Sequence, residues 1–224
     1  VITSYLRRGL AAGLLAGLLA GIFAFFVGEP LLERAMTLES SGYAHNGEVA
    51  AHSHGGEEEI FSRTTQKVGL FFATGLSGTF VGGLFGMAFA FMRDLLSSDT
   101  DWGRSLSLAA AAFAGAVFLP FLKYPANPPT VGDPSTIGSR TIAYFVMVGV
   151  SLLTILVCWH AARRMRESGV VDPIRHVTVG AALVTVFGLL FVGLPATADP
   201  GEFPAGLLWS FRLSSIGTQV VLWT

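Results

Sequence analysis

Five apolar runs constrain this chain more than any other feature: residues 10–27, 68–92, 105–122, 141–162 and 177–195. None of them contains Asp, Glu, Lys or Arg. Each is close to the roughly 20 residues that cross a bilayer as a helix. In hydrocarbon every backbone N–H and C=O must be satisfied inside the chain, and a single run does that only as a helix. The predicted fold is therefore all-α, a polytopic helical membrane protein in contact with membrane lipid. Composition agrees. Of the 224 residues, 52% are hydrophobic and 13% charged, against about 25% charged in a soluble domain.

A sixth run begins near Gly206 and is interrupted by Arg212. From Leu213 only twelve residues remain to Thr224. They would reach about 18 Å of a core roughly 30 Å thick. A sixth helix over about 207–224 should then start before Arg212, with that side chain snorkelling outward. The natural chain is also expected to continue past "VVLWT". Five full spans and a partial sixth make one membrane domain over residues 1–224. Arg7 and Arg8 precede the first run as in a signal peptide. That run is longer than a signal core and lacks an A-x-A site, so it reads as a retained helix.

Basic residues orient the chain. With the N-terminus inside, the inner segments carry Arg7, Arg8, Arg93, Arg104, Arg163, Arg164, Arg166 and Arg175. The outer segments carry Arg34, Arg63, Lys67, Lys123, Arg140 and Arg212. The strongest cue is "ARRMRESG", directly after the fourth run. The N-terminus is placed inside on this count. A His/Glu-rich loop over 40–59 then faces outside, with "KYPANPPTVGDPST" and "GLPATADPGEFPAG". The prolines of "YPANPPTVGDP" predict an ordered, non-helical crossing.

Several functions are excluded. A net charge of −1 offers no basic field for nucleic acid. There is no phosphate loop, no dinucleotide fingerprint and no H-E-x-x-H. Cys158 is the only cysteine, and no serine has a His/Asp pair at a useful spacing. The chain is therefore not read as an enzyme, and no permanently bound cofactor is expected.

Glycines recur every four residues at Gly9, Gly13, Gly17 and Gly21, and again at Gly78, Gly82 and Gly86. Such stripes let helix backbones approach closely in lipid. They are open to pairing with each other or with a partner's helix, including a second copy in a homo-oligomer.

The chemistry-bearing stretch is "AHNGEVAAHSHGGEEE", 44–59, with three of the five histidines. His52 and His54 would lie on one side of an extended backbone. With His45, Glu57 and Glu58 they offer imidazole and carboxylate ligands suited to cobalt, nickel, zinc or copper. The plain alternative is a solvated acidic loop. Glu29 and Glu33 in "GEPLLERAMTLE" are four apart, so a helix presents both on one face. Pro30 fits the first turn of a new amphipathic helix at the outer interface. Those two carboxylates could receive a cation from the tract, or be solvated surface acids. Lys123 should snorkel to the interface, and Asp133 should cap a turn or the start of the fourth helix. Cys158 and His160 could pass a metal inward, though packing is the ordinary role there.

Four strings stand out: "GEPLLERAMTLE", "HSHGGEEEIFSRTTQKVGL", "FLPFLKYPANPPTVGDPSTIGSRT" and "EFPAGLLWSFRLSSIGTQVVLW". Together, and in this order along nearly the whole chain, they resemble the CbtA-type family, probable membrane subunits of cobalt transport. The resemblance implies a multi-pass protein of an inner or cell membrane. It implies cobalt uptake, commonly for cobalamin biosynthesis, with Co2+ as the transported or sensed metal. It also implies a small single-helix companion, the CbtB-type subunit. The family's motif positions fall at Glu29, Pro30, Glu33, His52, His54, Arg63, Lys123, Pro125, Asn127, Pro128, Asp133, Arg140, Phe203, Pro204, Trp209, Arg212 and Gln219.

Overall fold

The computed structural model describes residues 2–45, 62–96, 98–129, 131–197 and 199–224. Eight α-helices follow one another among the described residues: α1 (Ile2–Phe23), α2 (Glu29–His45), α3 (Arg63–Met92), α4 (Asp101–Phe113), α5 (Leu119–Lys123), α6 (Ile137–Glu167), α7 (Asp172–Gly193) and α8 (Ala205–Trp223). No strand occurs among them. Five stretches are long and apolar enough to cross a membrane: Ile2–Leu38, Arg63–Leu95, Asp101–Lys123, Ile137–Glu167 and Asp172–Gly193. The protein is thus a polytopic helical membrane protein. α8 adds a shorter sixth helix, and it starts before Arg212 as its sequence requires.

Two α-helical pairs are joined without a break by π-helical turns. Ala24–Gly28 links α1 to α2, and Ala114–Phe118 links α4 to α5. The cause is the same in both. A proline inside a helix has no N–H to donate, and its ring collides with the carbonyl four residues back. Pro30 and Pro120 each stand two residues after a π turn. The carbonyls they would strike, those of Phe26 and Ala116, are at the centre of each turn. The wider coil moves these carbonyls aside, and the helix bends instead of ending. This corrects one expectation. Pro30 does not open a separate interfacial helix; it lies within a continuous helical rod from Ile2 to His45.

The contacts divide the chain into two compact units. One comprises Val1–Leu106, Ala126–Val131 and Glu202–Thr224. Its spine is the antiparallel pair α1 and α3. A Cβ built on Gly13 would fall on the Gly78 carbonyl oxygen, and one on Gly9 on that of Gly82. The two glycine stripes therefore pair with each other, backbone on backbone, which only residues without a side chain allow. At one end of the pair Arg93 donates to the Tyr5 hydroxyl and lies over its ring, which meets Phe89 edge-on. On α3, Phe72, Leu76 and Phe80 are exposed, as suits a lipid solvent. α8 lies along α1, with Gly217 against the Phe23 ring and the buried Ser214 beside Gly28.

The other unit comprises Ser107–Pro125 and Gly132–Gly201. α6 packs on α7 and on the π turn before α5. The α6–α7 turn closes through Gly169, at φ 76°. Gly169 N–H donates to the Arg166 carbonyl and Val170 N–H to that of Met165, at 3.0 and 2.9 Å. This pair of bonds is the Schellman arrangement, which places glycine in the left-handed position.

Candidate functional site

Glu29 and Glu33 open α2, while Arg63 and Lys67 open α3 at the same four-residue spacing. Ser62 caps α3 by accepting the Thr65 N–H at 3.3 Å. The glycine contact between α1 and α3 brings these two faces together. Arg63 Nη2 donates to Glu29 Oε2 at 2.9 Å and lies 3.6 Å from Glu33 Oε1. Lys67 Nζ donates to Glu33 Oε1 at 2.7 Å. Arg63 Nη1 donates to Gln66 Oε1 at 2.6 Å, which fixes the guanidinium fork. The Glu29 side chain is 12% exposed and that of Glu33 48%. Glu29 is thus the inner carboxylate and Glu33 the one open to solvent. Exposed ion pairs contribute about 0–1 kcal/mol each, so the value of this cluster is in placement rather than stability.

The sequence pairs Glu29 with Glu33 correctly but leaves Arg63 and Lys67 as two charges of an outer loop. The matched spacing of 29/33 and 63/67 was the available signal. Of the predicted collector residues, His45 ends α2. His52, His54, Glu57 and Glu58 lie outside the described residues. They fall in sequence between the end of α2 and the start of α3. Among the described residues, no three His, Cys, Asp or Glu side chains group as a metal site.

In the same unit, Arg212 of α8 donates through Nε and Nη2 to the Asn127 amide oxygen, at 3.2 and 2.8 Å. The adjoining Pro128 is fully buried. The Arg212 guanidinium is half-buried and held by a side chain from the proline-rich crossing, 85 residues earlier. A family model described as "Probable cobalt transporter subunit (CbtA)" matches residues 2–224. The chain belongs to the CbtA family. No curated protein and no solved structure matches it.

Two further residues singled out in the sequence, Lys123 and Asp133, lie in the other unit. Lys123 does not snorkel. It is 7% exposed, and its Nζ donates to the Phe191 carbonyl at 2.8 Å. Its ammonium also lies over the Tyr124 and Phe191 rings, at 5.5 and 5.2 Å. The carbonyls of a helix's last turn lack helical partners and carry partial negative charge, so the end of α7 is a natural seat for a cation. Tyr124 adds a hydrogen bond from its hydroxyl to the Pro195 carbonyl at 2.7 Å. Asp133 caps a turn, as expected. Its Oδ1 accepts the Ser135 N–H at 2.8 Å. That bond, helped by Arg140, holds the carboxyl below the usual aspartate value.

Proposed function

We propose that this CbtA chain is the membrane subunit of a Co2+ uptake system in an inner or cell membrane. The N-terminus lies inside, and all its helices act as one membrane domain. The His/Glu-rich stretch 40–59, whose first six residues belong to α2, lies outside and collects the metal through His45, His52, His54, Glu57 and Glu58. Glu29 and Glu33 are the first fixed stop. In this reading Co2+ is cargo, and the chain holds no resident cofactor and performs no catalysis.

The observation that carries the proposal is the sharing of Arg63 by Glu29 and Glu33. Both carboxylates meet the same guanidinium nitrogen, at 2.9 and 3.6 Å, so side-chain rotation after its release would let them close on one metal ion. A divalent cation brings the same charge as Arg63 and Lys67 together, so it replaces them rather than adding to them. Loading is then an exchange that frees two side chains, and unloading restores the ion pairs. A tract that joins α3 at Ser62, next to Arg63, raises the local cation concentration there without a rigid site of its own.

Uptake of submicromolar Co2+ into proteoliposomes tests this, with the chain alone and with a CbtB-type companion. Replacing His45, His52 and His54 with alanine should slow uptake at limiting metal and leave it unchanged at saturation. Glu29→Gln should slow it at both. Equal uptake by the triple variant at limiting Co2+ removes the collector.

A second reading is a non-transporting scaffold or metal-sensing subunit that recruits a partner. A groove of about 740 Å³ between α2 and α8, lined by Leu31, Leu38 and Leu207 among others, supports it as a seat for a companion helix. Absence of uptake in both preparations, with correctly inserted protein, favours this reading.

A further inference from the structure

The buried residues of α6 are Ala143, Met147, Ser151, Thr154 and Cys158. Steps of three and four keep them on one face of the helix. All but Ala143 carry a sulfur or a hydroxyl. Met147 and Ser151 are 0% exposed, Thr154 8% and Cys158 7%. Thr154 donates its hydroxyl to the Val150 carbonyl at 2.7 Å, as helical threonines in lipid commonly do. Ser151 makes no such bond: its Oγ is buried and has no hydrogen-bond partner among the described residues. A buried hydroxyl left unpaired is destabilising. Packing alone would be served better by alanine.

Ser151 also stands next to the midpoint of the 31-residue α6. The backbone of the π turn before α5 approaches there. A Cβ on the buried Gly115 would lie 3.3 Å from Leu152 Cα. A π turn changes the hydrogen-bond register, so a carbonyl leaves the α-helical ladder where the change occurs. Irregular helix segments at the bilayer midplane are where transporters bind cations.

We propose that this face of α6 is an intramembrane binding step for a borderline divalent cation. Ser151 Oγ is its centre, with Met147 Sδ towards one end of the helix and Thr154 Oγ1 and Cys158 Sγ towards the other. Neighbours three or four apart on a helix have Cβ atoms about 5–6 Å apart and can share one ion. Met147 and Cys158 are about 16 Å apart along the axis, so the face offers successive positions rather than one cage. Thioether, hydroxyl and thiolate favour cobalt, nickel, zinc or copper over magnesium or calcium. On binding at Cys158, the S–H bond breaks, its electron pair forms the Sγ–metal bond, and the proton leaves to a buffer base. The set lacks a carboxylate and should bind weakly, as a step in conduction must. The inference rests on the uptake reading for its choice of Co2+.

Cys158 is the chain's only cysteine. Any thiolate-to-cobalt charge-transfer band in the purified full chain therefore reports on this face. The band should appear on Co2+ titration of the natural chain and of the His45/His52/His54→Ala variant, and be absent from Cys158→Ser. Ser151→Ala should raise the midpoint of Co2+ binding about tenfold, read by calorimetric titration of the His45/His52/His54→Ala background rather than by the band, since Ser151 and Cys158 are about two turns apart. The same variant should unfold at a higher temperature without metal, because it loses an unpaired hydroxyl. A purely structural serine would show the stability gain with an unchanged midpoint, and that result overturns the proposal. So does the absence of a band at saturating Co2+. A band without proteoliposome uptake keeps this site and overturns the uptake reading; uptake without a band does the reverse.

Discussion

Lys123 ends α5 against the last turn of α7, and its ammonium is the hydrogen-bond donor to the Phe191 carbonyl. Lys123→Met keeps most of the apolar stem and removes the donor. It should cost about 1–3 kcal/mol, the worth of a charge-assisted hydrogen bond, read by denaturant unfolding in micelles. In sequence Lys123 is an interfacial lysine, because its acceptor lies 68 residues further on and belongs to a helix end. Asp133 was legible from its own neighbours: an aspartate two residues before a serine at the start of a helix makes a local turn. Its folded carboxyl titrates below the unfolded value, so its contribution is fully present above the ordinary aspartate pKa. That contribution is lost as pH falls through the depressed folded value. Hydrogen exchange at the Ser135 amide should therefore lose protection over that acid range. In Asp133→Asn, this acid step should be absent.

At the scale of elements, the helices were legible because charge-free runs of this length admit one structure in lipid. The glycine stripes were legible too, but their partner was not. Four-residue spacing fits any similar stripe, on this chain or another, and only the fold shows that Gly9 and Gly13 meet Gly82 and Gly78. Gly13→Val should force the α1 and α3 backbones apart and destabilise the protein by about 1–3 kcal/mol or more. Gly69→Ala, also on α3 but with open space around it, should be neutral or slightly stabilising. Thermal unfolding of the two variants in one detergent separates close approach from helix propensity. The prolines were visible as well. Their effect was not, since a proline can stop a helix or widen it, and the choice at Pro30 and Pro120 depends on whether neighbouring helices hold the rod together.

For the whole molecule, the candidate site was half visible. Two carboxylates on one helix face follow from spacing, whereas the cations that neutralise them follow from the pairing of α1 with α3. Where that site faces depends on the π turn at Ala24–Gly28. Seen down its axis, a helix is a dial that advances about 100° per residue. On an unbroken dial Glu29 and Glu33 would stand roughly opposite the Gly9–Gly21 stripe, towards lipid and away from α3. The π turn holds one extra residue and sets the dial back by about 100°. The carboxylates then come round to the side where Arg63 and Lys67 lie. Pro30→Ala allows the ordinary ladder to close, and should swing both carboxylates out of reach and slow uptake at limiting Co2+. Deleting one residue from 24–28 in that variant removes the extra count and should restore both the bearing of the carboxylates and uptake. A proline that seemed to begin a helix would then be the device that aims one.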